Sequence, residues 1–490
     1  MVDGRPVILW FGLRPSDTVV RECEARNCIL REGLVSDPTL GADSARAAIF
    51  TIDPSNEQEM LGLLKSCGAT LVDHGLRLDI VTPDDPATGR VQSGLGNAAG
   101  GQGFNVRTAP APRVLAETIA RHDPGPIPQR GLVISVAQNR EPVRKADEIL
   151  FRRAFPDCRE ITLVELGGGR SDARVFAVHK TAISNVGLWP QPAFVKLDRN
   201  AKIEREYRNY RRYAASFIPF GLRPNVQDLV VGSERSLLVG DFVDRSESLW
   251  ELAQRNVAAS SITALLEETL GGWRDQGYAN NPIAGSVAEA MQSAGICDPS
   301  RIKAYYVERA AEEGVHRSAE QLWSVLAGLD QLYRRAPMHG DLHGDNVRVR
   351  GGSAILIDLA SVCEGPLTAD LAGLETWLAF ELPDNSPRDR YEDPEWRAVV
   401  DGLYAPSAFL HPPGPCRPEK PLAWIGTVVR QIRTMGIAIQ SCPTEYQTAV
   451  AVQRLRRCQW LNDYPADRYR RAHAYRTAAS LVADLEGKAA

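Results

Sequence analysis

Short apolar runs alternate with segments of helical spacing through the first 124 residues. The apolar runs cover residues 7–11, 29–30, 47–52, 76–82 and 104–108. Between them, Ser16 is placed to cap one helix, residues 57–67 have helical spacing with Gly68 as their stop, and residues 114–122 form a closing helix. Strands that alternate with helices favour a parallel, doubly wound sheet. We therefore predict an α/β domain of flavodoxin-like type over residues 1–124.

A proline-rich stretch follows this predicted domain. Residues 123–128 contain three prolines, which can continue neither a helix nor a central strand, so we interpret them as a linker. A strand at 132–136, a helix at 143–155, a hairpin over 161–178 and a strand at 193–197 come next. Beyond these the chain is mainly helical, with two short strands near Val347 and Ile355. We predict an α+β unit at 131–245 and a helical unit at 246–490.

Composition excludes several classes of function. The net charge is −4 and the pI about 6.1, so the charge balance indicates neither nucleic acid nor an anionic membrane as a partner. No apolar run approaches the length needed to span a bilayer, and the first residues do not resemble a signal peptide. The nine cysteines include no C-x-x-C pair, which argues against zinc and a disulfide framework. A reducing cytoplasm is the expected location.

Two features of the α+β unit suit phosphate binding. Gly167, Gly168, Gly169 and Ser171 lie between two predicted strands, where glycine lets backbone N–H groups approach phosphate oxygens; a plain hairpin turn is the alternative. Lys196 follows an apolar strand, and Glu206 lies on the half-buried face of the next helix. A glutamate there could hold Lys196 against phosphates, although each residue alone is more often an ordinary surface side chain.

The most specific signal is the segment His339-Gly340-Asp341-Leu342-His343-Gly344-Asp345-Asn346, followed by Asp358 after an apolar strand. Asp341 could orient an attacking hydroxyl, while Asn346 and Asp358 could bind Mg²⁺, which accepts few protein ligands because it keeps several waters. We interpret His339 as a brace for the loop, and assign no chemistry to His343 or Asp345. These types, at this spacing, are those that phosphoryl transfer from ATP requires.

Residues 155–375 resemble the aminoglycoside phosphotransferase and choline kinase group of kinase-like enzymes. That group carries H-G-D-L-H-x-x-N, then I-D, then D-L-A; this chain has 339–346, then Ile357-Asp358, then Asp370-Leu371-Ala372. The resemblance implies a bilobal protein-kinase-like fold with ATP in its cleft, Mg²⁺ on Asn346 and Asp358, and Asp370 as a structural anchor. A proline is frequent at the position of Gly344, and its absence is expected to loosen the loop.

The N-terminal domain is similar to a response-regulator receiver in its order of strands and helices. Asp53 follows the third strand, where a phospho-accepting aspartate would lie, and Thr82 ends the fourth. The first strand ends in Phe11-Gly12-Leu13 without acidic magnesium ligands, and the fifth ends in Arg107-Thr108 without the usual lysine. We therefore predict a degenerate receiver-like module that binds a protein partner; another flavodoxin-like domain is the alternative.

The acceptor of a phosphoryl group is not specified by these motifs. A polycationic acceptor would need a dense acidic cluster, and Glu375, Glu381 and Asp384 are too few to indicate one. We interpret the arginines of residues 454–476 as a solvated helix surface; a site for an anionic molecule is the alternative. A catalytically silent pseudokinase scaffold in bacterial signalling, or a kinase-like enzyme that transfers AMP, stays open as a second reading of the whole chain.

Overall fold

A computed structural model describes residues 5–96, 103–137, 140–166, 173–183, 191–382, 394–411, 422–461 and 465–489. The chain divides into two compact units, Met1–Tyr207 with Asn225–Asp244, and Arg208–Pro224 with Arg245–Ala490. The segments that we predict as the domains 1–124 and 131–245 fall almost entirely within the first unit. The domain boundaries themselves stay a prediction.

The N-terminal part of the first unit is a parallel α/β sheet. Its strands are β1 Val7–Gly12, β2 Ile29–Glu32, β3 Ala45–Thr51, β4 Arg77–Thr82 and β5 Phe104–Thr108. Its helices are α1 Asp17–Glu24, α2 Glu57–Asp73, α3 Asp85–Leu95 and α4 Pro112–Ala120. The strand order is β2-β1-β3-β4-β5, and every neighbouring pair is parallel. This is the flavodoxin-like order, so the predicted parallel sheet is confirmed, while receiver-like character stays a prediction.

Both faces of this sheet are covered, which explains why β1 is apolar throughout. Val7, Leu9 and Phe11 belong to one buried cluster, and Ile8 and Trp10 belong to another. Successive residues of a strand point to opposite faces, so a doubly covered strand needs apolar side chains at every position. A continuous apolar run is therefore a good predictor of such a strand.

One prediction for this part was wrong. Gly68 does not end α2, which continues to Asp73; a Cβ at position 68 would lie 2.8 Å from the ring of Phe104, so this glycine allows close packing of helix on strand. Helix α3, which the apolar runs did not indicate, lies between β4 and β5. Asp84 caps α3 by accepting from the amide of Ala87 at 2.8 Å.

The rest of the first unit is a six-stranded sheet in the order β10-β11-β9-β8-β7-β6. Its strands are β6 Val133–Val136, β7 Cys158–Glu165, β8 Arg174–Ala182, β9 Ala193–Arg199, β10 Val226–Val231 and β11 Arg235–Asp241. All pairs are antiparallel except β6 with β7. Helix α5 (Lys145–Ala154) lies between β6 and β7 in the sequence, and α6 (Asn200–Asn209) follows β9. The predicted hairpin is present as β7 and β8.

One buried arginine joins the two sheets of the first unit. Arg153 of α5 is 5% exposed and donates to three backbone carbonyls: Asp73 O at 2.8 Å, Val231 O at 2.7 Å and Pro124 O at 3.0 Å. The carboxylate of Asp73 also accepts from the amide of Ser233 at 2.7 Å. These bonds connect the end of α2, the predicted linker and the β10–β11 turn, so the two sheets are packed as one body.

The second unit is mainly helical. Its helices are α7 Leu249–Gln254, α8 Ala259–Ala264, α9 Gly271–Tyr278, α10 Val287–Ser293, α11 Ala304–Glu312, α12 Ala319–Ala327, α13 Ala369–Phe380, α14 Pro394–Leu403, α15 Ala423–Ile439, α16 Glu445–Arg456 and α17 Pro465–Ala489. Its short strands are β12 Glu247–Ser248, β13 Ile283–Gly285, β14 Gln331–Tyr333, β15 Arg335–Met338, β16 Val347–Arg350, β17 Ser353–Leu356 and β18 Cys363–Pro366. Every residue of α13 is buried, which makes it the central helix of the unit.

Within the described ranges, none of the helices is both long enough and apolar enough to pass through a membrane. The cysteines in those ranges are free thiols, most of them buried.

Candidate active site

The segment that begins at His339 is anchored to the start of the central helix. Asp370, in the first turn of α13, accepts from the backbone N–H of His339 at 2.5 Å and from that of Gly340 at 3.0 Å. Gly340 has a φ of +76°, and a Cβ there would lie 2.5 Å from the carbonyl oxygen of Ser361. Only glycine fits this turn without strain. Asp370 therefore fixes the backbone directly before Asp341.

His339 is fully buried and both of its ring nitrogens are engaged. Nδ1 accepts from the backbone N–H of Asp341 at 3.3 Å, so Nε2 carries the proton and donates to the carbonyl of Ile357 at 2.9 Å. This pattern requires a neutral ring. The histidine connects the loop to the strand that leads to Asp358, which is a bracing geometry.

A hairpin brings Asn346 and Asp358 side by side. Val347 opens β16 and pairs with Leu356 of β17, and the N–H of Ile357 donates to the carbonyl of Asn346 at 2.9 Å. Asn346 thus directly precedes one strand and Asp358 follows the other by two residues, at the same end of the hairpin. Asp358 has a φ of +57°, which is uncommon outside glycine and occurs where the surroundings hold a residue in place.

The donor chemistry of this pair fits a magnesium ion. The side-chain amide nitrogen of Asn346 donates to the carbonyl of Asp341 at 2.9 Å, which orients the amide and leaves Oδ1 as its ligand atom. A carboxylate and an amide oxygen are hard ligands of the kind that Mg²⁺ prefers. Among the described residues, no group of three or more His, Cys, Asp or Glu side chains forms a metal cluster.

Asp341 forms an ion pair with an arginine from the far end of the chain. Its Oδ1 accepts from Nη2 of Arg456, the last residue of α16, at 2.8 Å, and its side chain is about half exposed, at 48%. Burial raises the pKa of Asp341, but the neighbouring guanidinium of Arg456, which also donates a hydrogen bond to the carboxylate, contributes to lowering it, and the pKa lies below its ordinary value. The carboxylate is therefore ionised at neutral pH and is a weak base.

Two tryptophans close around the middle of the loop. The ring of His343 stacks on Trp377 with centroids 5.1 Å apart, and its Nδ1 accepts from the N–H of Asp345 at 3.3 Å. Burial lowers the pKa of His343 to about 4, so this ring is neutral at pH 7. A Cβ on Gly344 would lie 2.9 Å from Trp377 and 3.0 Å from Trp250. The tryptophans thus pack closely against Gly344, and a larger residue would not fit here without a shift; the looser loop stays a prediction.

The first unit contains a second part of the predicted constellation. Lys196 lies on β9, between β8 and β11, and its Nζ is 2.8 Å from Oε2 of Glu206 on α6. Both side chains are nearly buried, at 11% and 7% exposed. A buried pair of this kind needs good geometry to offset desolvation, so it is unlike the surface ion pairs that long side chains usually form.

The structure thus gathers the predicted residues in two groups. In the second unit, His339, Asp341, Asn346 and Asp370 are connected by hydrogen bonds, and Asp358 follows the adjoining strand. In the first unit Lys196 and Glu206 are paired. Gly167, Gly168, Gly169 and Ser171 lie outside the described residues. The roles assigned to all of these residues stay predictions.

Sequence reasoning missed two residues that contact the loop region. Arg456 was grouped with a solvated arginine surface, yet it pairs with Asp341. Asn209 donates to the carbonyls of Leu359 and Ala360 at 3.1 and 3.2 Å, just after Asp358. Neither contact has a local signal, since Arg456 is 115 residues and Asn209 about 150 residues away from its partner.

The catalytic-type segment also matches a known family model. Residues 294–398 match the model of the phosphotransferase enzyme family, and this range contains His339, Asp341, Asn346, Asp358 and Asp370. The match covers the part of the second unit that the motif spacing identifies. Over these residues the chain is therefore similar to the phosphotransferase enzyme family.

Comparison with whole proteins is less specific. No curated protein sequence matches the chain significantly. Among solved structures, a thermostable mutant of aminoglycoside phosphotransferase APH(4)-Ia is 15% identical, with 56% of this chain and 94% of that one covered and a TM-score of 0.30. A glucosamine kinase in complex with glucosamine, ADP and inorganic phosphate is 11% identical, with 66% and 93% covered and a TM-score of 0.34. Choline kinase from Cryptosporidium parvum is 10% identical, with 67% and 89% covered and a TM-score of 0.29. At these TM-scores the similarities carry no argument about activity.

Proposed function

We propose that this chain is an ATP- and magnesium-dependent phosphotransferase that transfers a phosphoryl group to a hydroxyl of an acceptor. The observation that carries the proposal is the fixed position of Asp341. Its loop is held by two backbone hydrogen bonds to Asp370 and by the ring of His339. Its carboxylate has a pKa below the ordinary value, and its backbone carbonyl accepts from the amide of Asn346. Positioning of this kind is most of what phosphoryl transfer asks of a protein.

Each group has one task in the proposal. Lys196, held by Glu206, binds phosphate oxygens of ATP, and Asn346 and Asp358 hold magnesium. The metal ion, when bound, supplies positive charge to the phosphates. Asp341 accepts a hydrogen bond from the acceptor hydroxyl. This bond orients the hydroxyl oxygen toward the phosphorus atom. Its low pKa suits orientation better than early removal of the proton, which agrees with a loose transition state in which the nucleophile is still protonated.

Nucleotide binding and product mass test this proposal. Mg-ATP is expected to raise the melting temperature of the full chain, and the acceptor recovered from a [γ-³²P]ATP assay is expected to carry the label. A product that carries AMP instead would move the chain to the adenylyl-transferring class. A protein that binds nucleotide but transfers phosphate to no acceptor would be a pseudokinase. A melting temperature that Mg-ATP does not change would contradict the proposal.

Lys196→Met is expected to weaken nucleotide binding about tenfold or more, because a nearly buried cation that contacts phosphate is lost together with its ion pair to Glu206. The matched control is Lys202→Met, which removes a 44% exposed lysine paired with Asp198 in the same region. Isothermal titration with the non-hydrolysable analogue AMP-PNP and Mg²⁺ measures both. Equal affinities in the two variants would remove Lys196 from the site.

We further propose that residues 1–124 form a degenerate receiver-like module that regulates the chain or docks a protein. The flavodoxin-like strand order supports this, and so does the state of Asp53. Oδ1 of Asp53 accepts from the N–H and hydroxyl of Ser55 at 2.8 and 2.6 Å and from the N–H of Asn56 at 3.3 Å. The hydrogen bonds from Ser55 lower its pKa. These contacts make it a turn residue.

Incubation with acetyl phosphate and Mg²⁺ is expected to leave residues 1–124 unmodified. The first strand ends in Phe11-Gly12-Leu13, which offers no carboxylate to a metal ion, and Arg107 is engaged by the buried Asp79 at 2.8 Å. Intact-mass spectrometry measures the result, with a phosphorylatable receiver as positive control. A phosphate adduct that disappears in Asp53→Asn would contradict the degenerate assignment.

A further inference from the structure

Three arginines surround the ring of Phe380 at the end of the central helix. The guanidinium carbons of Arg457, Arg470 and Arg471 lie 5.3, 5.4 and 5.2 Å from its centroid. Arg470 and Arg471 are each 5% exposed, and Arg454, deeper in the same helix pair, is fully buried. The interpretation of this arginine-rich segment as a solvated surface was therefore wrong. We call Arg456, Arg457 and Arg471 the arginine cluster.

The hydrogen-bonding groups of Arg471 are only partly satisfied. Its Nη1 donates to the carbonyl of Arg457, while its Nε is buried without an acceptor. In the part of the chain that the structure describes, no carboxylate forms an ion pair with it. Nε of Arg457 is likewise buried without an acceptor, and Oε1 of Glu381 is 3.9 Å from its Nη1. Burying cations with so little compensation is costly unless an anion completes them.

The arginine cluster extends to the predicted catalytic carboxylate. Arg456 pairs with Asp341, and Arg457 lies close enough for its charge to interact with both. Burial is the main cause that lowers the pKa of Arg457 to about 9, with the neighbouring guanidinium groups of Arg456 and Arg471 adding to it. Positive charge is therefore concentrated where an acceptor hydroxyl must approach Asp341.

The acids considered for a cationic acceptor are engaged in other contacts. Glu375 is fully buried and accepts from Nη2 of Arg433 at 2.5 Å and from the hydroxyl of Tyr446 at 2.8 Å. Glu381 faces Arg457. Asp384 lies outside the described residues. The surroundings of Asp341 thus favour a negatively charged molecule over a polycation.

Resting on the proposed function, we propose that the acceptor is an alcohol that carries an anionic group, a phosphate, sulfate or carboxylate, bound by Arg456, Arg457 and Arg471. Guanidinium groups present planar pairs of N–H donors that match such oxyanions. Arg456 releases Asp341 when it takes up the anion, which frees the carboxylate to accept a hydrogen bond from the hydroxyl. Binding of the correct acceptor is in this way coupled to readiness of Asp341.

Direct anion binding is the first arm of the test. Sodium sulfate is titrated calorimetrically into the full chain without nucleotide, and its affinity is expected to fall at least tenfold in Arg456→Gln and in Arg471→Gln. Lys196→Met serves as the control for sulfate bound at the nucleotide-binding residues, and Arg309→Gln, a partly exposed arginine paired with Glu312, is the control for loss of charge. Neither control is expected to change the affinity. Unchanged affinity in both cluster variants overturns the proposal.

Matched acceptors form the second arm. Glucose, glucosamine, gluconate and glucose 6-phosphate are compared in a [γ-³²P]ATP assay. Faster transfer to gluconate and glucose 6-phosphate supports the proposal. Arg471→Gln is expected to raise the KM for these two acceptors at least tenfold, with the KM for ATP unchanged.

Transfer only to glucose or glucosamine overturns the proposal of an anionic acceptor and leaves the proposed function standing. A chain that binds no nucleotide overturns the proposed function, and the acceptor with it. The melting temperatures of the variants are compared first to establish that each variant folds. If Arg471→Gln does not fold, the outcome is decided by Arg456→Gln, which lies at a more exposed position.

Discussion

Asp341→Asn is expected to lower kcat by about 10² to 10⁴-fold while nucleotide affinity stays within twofold. The amide keeps the size of the side chain and one acceptor oxygen, but it has no charge to hold the acceptor hydroxyl or to receive its proton. The backbone of the loop should stay in place, because it is fixed by Asp370 and His339 and not by the side chain of Asp341. Single-turnover rates and AMP-PNP titration measure the two quantities.

Asp345→Asn is the matched control for that experiment. Asp345 lies four residues further along the same loop and is exposed, and its backbone N–H, which the substitution keeps, donates to Nδ1 of His343. Its activity is expected to stay near that of the unaltered chain. If Asp341→Asn retained more than a tenth of the activity, Asp341 would not be the residue that orients the acceptor.

Asp370→Asn is expected to affect both stability and turnover. The buried carboxylate accepts two backbone N–H groups, and an asparagine would present its NH₂ to one of them, leaving a buried donor unsatisfied. Loss of one hydrogen bond to a charged group costs about 1.5–3 kcal/mol. We expect the urea midpoint of the second unit to fall and kcat to fall with it, since Gly340 and Asp341 lose their anchor.

Asp275→Asn, at a side chain that is 77% exposed, controls for the general effect of removing a carboxylate from this unit. Tryptophan fluorescence follows unfolding, because Trp250 and Trp377 pack against the loop. An unchanged midpoint in Asp370→Asn would mean that the loop is held by other contacts. Lower turnover with an unchanged midpoint would instead give Asp370 a direct part in the site.

Local patterns predicted the α/β sheet because its first strand carries an uninterrupted apolar run. Residues 7–11 of β1 are all buried, on one face of the sheet or the other, so the run of five apolar residues is sufficient evidence for this strand. The start of α3 also has a local signal that was missed, since Asp84 and Pro86 are typical of a helix N-terminus. The prediction that Gly68 ends the helix was wrong because the residue it packs against, Phe104, is remote in the sequence.

In the candidate site too, residues that are close in the sequence could be predicted, and residues that are distant in the sequence could not. The spacing from His339 to Asp370 identifies residues that a single loop, hairpin and helix bring together, so the sequence suffices. Arg456 and Arg471 could not be placed, because arginine in a helix is usually exposed and only tertiary packing makes it buried. Contacts between residues more than a hundred positions apart leave no periodic trace.

The three carbonyls that bind Arg153 have a consequence for how this chain can be dissected. Deleting residues 1–124 would remove two of those acceptors, Asp73 O and Pro124 O, and would leave a buried guanidinium with Val231 O. The remaining chain would therefore contain a buried and poorly paired cation, and it is expected to be less stable than the full chain. Residues 1–124 and the sheet that contains β10 and β11 therefore need to be kept together in any shortened form of this protein.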